Sequence, residues 1–374
     1  MLLPSIESLG DIRGKSVLVR VDFNCPVETS GGTTRVTDDF RIRAALPLFE
    51  ELMARGARVT ACTHFGRPKG QPDPQFSVAP IREHLESLIT GVTLLENLRF
   101  DPGEEGNDPV FAQQLVEGFD AYVNEAFGAS HRAHASIVYP PKVLPSAAGP
   151  NLQREVTTLL GTLSAPERPF VAIVGGAKVA DKLGITRVLV ERADSVIVGG
   201  GMAFTFWKAL GRPIGSSLVD ETRVDEVREL LASGRIVLPT DVWCLPEGSK
   251  FGSGGIEEPV LRSMAVGDLE MGLDIGPDSI EAFRRVIEGA ATVLWNGPMG
   301  VFEDPRLMEG TRSVAEILAA SRTTSIVGGG DSAAAVEKFG VADRMSFIST
   351  GGGASLELLE FGDLPGLKAL RGEV

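Results

Sequence analysis

One unit recurs along this chain: a short apolar run, a glycine-containing or polar turn, then a segment of helical periodicity. In the first half the runs are VLVRVDF (17–23), RVTACTHF (58–65), VTLLENLRF (92–100), FDAYVNEAF (119–127) and KVLPSAAG (142–149). The second half continues with FVAIVGG (170–176), SVIVGGG (195–201), RIVLPTDVW (235–243), TVLWNGPMG (292–300), TSIVGGGDS (324–332) and MSFISTGGG (345–353). Amphipathic segments at 41–56, 81–89, 179–193 and 279–290 separate them. Strands that alternate with helices imply parallel sheets joined by right-handed crossovers. The 374 residues exceed the ~250–300 at which one core stops growing, so two domains are expected. The predicted fold is α/β: two doubly wound parallel-sheet (Rossmann-like) domains, 1–168 and 169–355, facing across a cleft and hinge-connected. The stretch 150–168 reads as a single helix ending in a Pro-containing turn at the boundary. The apolar tail, 356–374, is placed to pack back across it.

Composition narrows the function classes. A formal charge of −14 argues against a general nucleic-acid or anionic-membrane surface, so an anionic ligand needs a local concentration of Arg and Lys. Cys25, Cys62 and Cys244 have no metal-ligand spacing and an odd count, as expected of reduced thiols in the cytoplasm. No apolar stretch reaches the ~18–20 residues that span a bilayer, and the first residues lack the pattern of a signal peptide.

Ligands of open parallel sheets bind beyond the carboxyl ends of the strands, and here those ends differ between the halves. The first half carries Asp22 and Asn24, then His64 and Arg67, then Asn97 and Arg99, then Asn124, His131, Arg132 and His134. Arg41 opens the following helix, and Arg168 stands just before the second domain. Guanidinium forks in this number suit a small, multiply charged anion. The second half carries glycine turns at 175–176, 199–201, 297–300, 328–330 and 351–353, with Lys178, Lys182, Asn296, Glu303 and Asp331 among them. Glycine lets backbone approach a nucleotide and its phosphates closely. In VGGAKVADK (174–182) the pattern predicts a strand feeding a helix N-terminus, with Lys178 and Lys182 one turn apart on the same face. An anion on one side and a nucleotide on the other suggest phosphoryl transfer. A P-loop NTPase would need GxxxxGK[ST], and a Rossmann dehydrogenase GxGxxG after the first strand; the chain has neither.

The motifs VRVDFNCP (19–26), DDFRIRAALP (38–47), THFGRP (63–68), LLENLRF (94–100), FGASHRAHAS (127–136), VGGAKVADK, GGGMAFTF (199–206), WNGPMGVFE (295–303), GGGDS (328–332) and STGGGASLELLE (349–360) stand in the order in which they occur in the phosphoglycerate kinase family. The chain resembles that family over nearly its whole length. Cys25, where Val is usual, THFG in place of SHLG, and Ser332 in place of Thr are small departures. The segment 147–156 differs more and bears on the interdomain helix.

The resemblance implies reversible transfer of a phosphoryl group from 1,3-bisphosphoglycerate to ADP, giving 3-phosphoglycerate and ATP, by direct in-line transfer after hinge closure. It implies Mg2+ as cofactor, with Asp331 as its neighbour, and a cytoplasmic monomer that binds neither nucleic acid nor membrane. Substrate contacts are implied at Asp22, Asn24, Arg41, His64, Phe65, Gly66, Arg67, Arg132 and Arg168. Nucleotide contacts are implied at Gly176, Ala177, Lys178, Lys182, Gly200, Gly272, Asn296, Pro298, Glu303, Gly329, Gly330, Asp331 and Ser332. Arg41 and Lys182 are the candidates for holding the transferring oxygens. A silent scaffold would have lost these clamps. A kinase of another carboxylate would have less use for four arginines.

Overall fold

The computed structural model describes residues 2–250 and 252–373. Its strands, in chain order, are β1 (Ser16–Arg20), β2 (Val27–Ser30), β3 (Thr33–Val36), β4 (Arg58–Cys62), β5 (Val92–Leu94), β6 (Ala121–Asn124), β7 (Ser146–Ala148), β8 (Phe170–Val174), β9 (Ser195–Val198), β10 (Ile236–Val237), β11 (Asp241–Pro246), β12 (Val260–Ser263), β13 (Glu270–Ile275), β14 (Thr292–Asn296), β15 (Thr324–Gly328) and β16 (Phe347–Ile348). The chain divides into two compact units, Met1–Thr158 with Phe361–Val374, and Leu159–Glu360. The divisions therefore fall at 158 and 360 rather than at the expected 168 and 355. The first lies within the helix Pro150–Ser164, where continuous hydrogen bonding offers no turn to mark a boundary in the sequence.

The first unit is built on a five-stranded parallel sheet in the order β5-β4-β1-β6-β7. From β1 the chain moves outward through β4 and β5, then returns to lay β6 on the other side of β1. Val17, Leu18 and Val19 of β1 are fully buried, because helices cover both faces of such a sheet. Phe23, Ile42, Leu48, Phe49 and Leu52 pack against one face. The helix Phe40–Ala54 runs through Pro47. The helix Pro365–Leu370 belongs to this unit: Ala369 packs with Ala126, Ala129, Ile137 and Val138, and the Gly366 amide donates to the Ser130 carbonyl at 2.9 Å.

The second unit has a six-stranded parallel sheet in the order β10-β9-β8-β14-β15-β16. Its path repeats the first: outward from β8 through β9 and β10, then back to β14 beside β8. Every residue of β8 and β14 is buried. One expected strand is corrected here. The run 235–243 divides into β10 and β11, on either side of Pro239, which has no N–H to donate to a ladder. β11 instead forms the centre of an antiparallel sheet, β12-β11-β13, that the periodicity did not announce.

Cys25, Cys62 and Cys244 are free and buried, and burial pushes each thiol up to about 12. They are packing residues, not nucleophiles.

Candidate active site

In a doubly wound sheet the binding crevice opens where the strand order reverses. That point lies between β1 and β6 in the first unit and between β8 and β14 in the second.

At the first reversal, β1 ends in Arg20 and continues through Val21 to Asp22. Asp22 Oδ2 is 2.8 Å from an Arg41 guanidinium nitrogen, and the Asp22 and Arg41 side chains both remain partly exposed. Beyond β4 the loop 63–67 is held by side chains. Thr63 Oγ1 accepts from the Phe23 amide at 2.9 Å, Asn24 Oδ1 from the Gly66 amide at 3.0 Å, and Asn97 Oδ1 from the Phe65 amide at 3.1 Å. Gly66 has φ +58, and a Cβ there would lie 2.3 Å from the Phe76 ring, so only glycine fits. The Gly66 carbonyl accepts from Arg99 at 2.7 Å, and Arg99 also meets Glu105 at 2.9 Å.

Arg20 is fully buried, donates to Ser136 Oγ at 2.8 Å, and lies 3.9 Å from the buried Glu104. Its guanidinium is 3.2 Å from His64 Nδ1. A guanidinium has no acceptor, so Nδ1 accepts and the ring proton sits on Nε2. Burial, with the charges of Arg20, Arg99 and Arg132, drives His64 down to about 3 despite Asp22. Burial, Arg99, Arg20 and Arg132 likewise take His134 to about 4. Both rings are neutral at physiological pH, chiefly because they are buried, with the neighbouring guanidinium charges adding to the effect. Arg67 and Arg132 have no acidic partner among the described residues. They are the unneutralised cations of the group.

At the second reversal, turns replace charges. The Gly175 amide donates to the Asn296 carbonyl, the Gly176 amide to the Pro298 carbonyl, and the Gly200 amide to the Met299 carbonyl, each at 2.9–3.0 Å. A Cβ on Gly200 would stand 2.6 Å from the Gly176 nitrogen. Lys182 Nζ rests on the Gly175 carbonyl at 2.6 Å and the Asn296 carbonyl at 3.4 Å. Burial lowers the ammonium to about 8, with Asp331 and Asp181 opposing. The Asn296 side chain is buried and its Nδ2 has no hydrogen-bond partner among the described residues. A Cβ on Gly329 would lie 2.8 Å from that nitrogen. An orphaned donor beside the start of the helix Gly330–Lys338 suits an anionic ligand.

Two sequence expectations change. Lys178 and Lys182 do not share a helix face, because the helix begins at Leu183 and residues 177–182 form an irregular turn. Lys178 is exposed within that turn, beside exposed Ala177. Arg168, which the sequence reading set at the end of the first domain, falls in the unit Leu159–Glu360. It precedes β8, at the amino end of the strand, where it pairs with Asp194 at 2.6 Å and donates to the Arg192 carbonyl. Arg99, read in the sequence only as a strand-end residue, takes a place in the arginine group. Of the remaining positions, Ser332 Oγ accepts from the Gly297 amide, Glu303 and Asp331 are exposed, and Gly272 lies in β13 with its amide on Ser217 Oγ at 3.0 Å.

The phosphoglycerate kinase family model matches residues 6–93 and 89–361. The chain belongs to the phosphoglycerate kinase family. It is 50% identical over 388 residues to a phosphoglycerate kinase of Rubrobacter xylanophilus, covering 96% of each chain. With one of Thermus thermophilus it shares 46% over 392 residues, covering 97% of this chain and 98% of that one. The solved phosphoglycerate kinase of Coxiella burnetii superposes with a TM-score of 0.87 at 35% identity, over 99% of both chains. That of Pyrococcus horikoshii gives 0.83 at 27% identity over the full length of both. The family's reaction is thus the reaction of this chain: reversible phosphoryl transfer between 1,3-bisphosphoglycerate and ADP, a glycolytic step catalysed by a phosphotransferase acting on a carboxyl group.

Proposed function

We propose that the two sheet reversals divide this reaction between them, the first unit holding the phosphoglycerate and the second the nucleotide. The guanidinium groups of Arg67 and Arg132, which have no acidic partner among the described residues, carry that reading together with Arg41 and Arg99. A three-carbon acid with its own phosphate presents two anionic ends, and forked donors meet each of them bidentately. Asp22 keeps Arg41 aimed until substrate arrives, while Asn24 and Asn97 hold Phe65 and Gly66 in place. Neutral His64 offers its Nε2 proton to a substrate oxygen.

On the nucleotide side, Gly176, Ala177, Gly200 and Gly272 let the nucleoside approach the backbone. Lys178 and the amides of Gly329 to Ser332 receive phosphates, and Glu303 is available to a ribose hydroxyl. Pro298 and Asn296 shape the loop between them. Lys182 leaves its carbonyl rest and follows the transferring phosphoryl group; Arg41 neutralises the same oxygens from the acid's side. No general base is required, because the attacking carboxylate is already ionised at neutral pH. This removes any need for His64 or His134 to carry a proton.

Mg2+ fits the residues present. No group of three or more acidic, His or Cys side chains able to hold a metal occurs among the described residues. Asp331 is one exposed carboxylate in the first turn of Gly330–Lys338. A cation that keeps its waters and is bound through one carboxylate and the phosphates suits such a site. When bound, it would neutralise phosphate charge.

Among the described residues no helix is long and apolar enough to cross a membrane, and we read the enzyme as a cytoplasmic monomer. In-line transfer requires the two bound substrates to meet, so both together are expected to drive closure about the connections near 150–168 and 349–355. A coupled assay with 3-phosphoglycerate and MgATP tests the activity. Small-angle scattering tests closure: an unchanged radius of gyration with both ligands present would refute it.

A further inference from the structure

The loop Gly297-Pro298-Met299-Gly300 packs the Met299 side chain against Gly175 and Gly199 and fixes two of the glycine turns through its carbonyls. Pro298 holds the Gly176 amide and Met299 the Gly200 amide. What fixes the loop itself is a residue remote in sequence. Thr311 lies in the helix Glu309–Ala320 and is fully buried. Its Oγ1 accepts from two successive loop amides, Met299 at 3.0 Å and Gly300 at 3.3 Å. The neighbouring amides are taken by other groups: Gly297 by Ser332 Oγ, Val301 by the Leu273 carbonyl. Asp274 secures the helix start beneath, its Oδ2 accepting from the Gly310 amide at 2.8 Å. A Cβ on Gly300 would lie 2.2 Å from Asp274 Oδ1, so loop and helix are in close approach there.

We propose that Thr311 is a positioning residue for the nucleotide: its hydroxyl holds the loop 297–300 at the height from which Pro298 and Met299 set the Gly176 and Gly200 turns. The inference rests on the reading that the nucleotide lies on those turns. Without that acceptor one buried and one part-buried amide lose their partner, and the cheapest relief is for the loop to move. Movement of Met299 and Gly300 carries the Pro298 and Met299 carbonyls with it. The turns at β8 and β9 then lose the register that a bound nucleotide needs, while the arginine group of the other unit is untouched.

Thr311→Val keeps the shape and removes the acceptor; Thr311→Ser keeps the hydroxyl and removes a methyl. Assayed well below the melting temperature, Thr311→Val should raise the KM for ADP about tenfold, leave that for the acyl phosphate within about twofold, and lower kcat less than it raises the ADP KM. Thr311→Ser should restore the ADP KM even where its melting temperature falls. If the valine variant does not fold, Thr311→Ala, whose small void can admit a water to the two amides, carries the same test with a smaller rise. An unchanged ADP KM in a folded Thr311→Val or Thr311→Ala, or an equal rise for both substrates, overturns the proposal. Gly200→Ala is the control on the underlying reading. If it raises the ADP KM while Thr311→Val does not, the inference fails alone; if neither does, the placement of the nucleotide fails with it.

Discussion

The two parallel sheets follow nearly the same path and reverse at the same point, yet they equip that point in opposite ways. At the first reversal the chain spends side chains: Arg20, Arg41, Arg99 and Arg132 stand among Asp22, Glu104 and Glu105, with histidines forced neutral between them. At the second it removes them, and glycines at 175, 176, 200, 297 and 329 leave amides and carbonyls as the working groups. Topology thus fixes where a ligand binds and leaves open which ligand it is. A small dianion is recognised by charge and fork geometry. A nucleotide is larger and suits recognition by shape, and the Lys182 ammonium rests on two carbonyls of these turns.

The largest expected effect concerns the two residues proposed to hold the transferring oxygens. Arg41→Ala and Lys182→Ala should each lower kcat by roughly 10²–10³-fold or more, with much smaller changes in substrate affinity; steady-state kinetics in both directions would measure this, and near-normal kcat in either variant removes its assigned role. Arg132→Ala should act on one side only, raising the 3-phosphoglycerate KM roughly 10–100-fold with little change for ATP. Equal effects on both substrates would mean the units do not divide the ligands.

The pH dependence should separate the sides too. Burial holds the Lys182 ammonium at about 8 in the free enzyme. It is therefore charged below that pH and loses its proton above it, so kcat/KM for nucleotide should fall as pH rises through about 8. Bound phosphates favour the ammonium, so the corresponding limb of kcat should lie higher. No limb should arise from His64 near neutrality, since it stays neutral down to about 3. Smallest of all, Arg168→Ala should leave both KM values within about twofold. Its guanidinium is committed to Asp194 on the surface, where such pairs are worth ~0–1 kcal/mol.

That last residue shows where the sequence could be read and where it could not. Strand ends were legible because an apolar run that stops at Gly-Gly or at Asp-Phe-Asn has few other meanings. Arg168 differs from the strand-end residues in direction. It precedes β8 and so lies at the amino edge, roughly 15–20 Å from the turn that follows five residues of strand. Arg99 lies after β5 and therefore at the carboxyl edge, where its position in the sequence put it. The start of the helix at Leu183 was not legible, since Ala177, Lys178 and Ala180 all favour or tolerate helix while tertiary contacts hold the turn open. Thr311 was beyond reach: nothing in EGTRSVAE distinguishes a threonine that serves a loop a dozen residues earlier.

The return of Pro365–Leu370 to the first unit has a consequence for how the molecule is made. A chain emerging amino end first displays all of Leu159–Glu360 before it has the residues that pack against Ala126, Ala129 and Ile137. The second unit can therefore complete its core first, although it follows in the sequence. The first unit must wait, its Ser130 carbonyl and the apolar surface around Ala129 uncovered, until the last stretch of polypeptide arrives to close it.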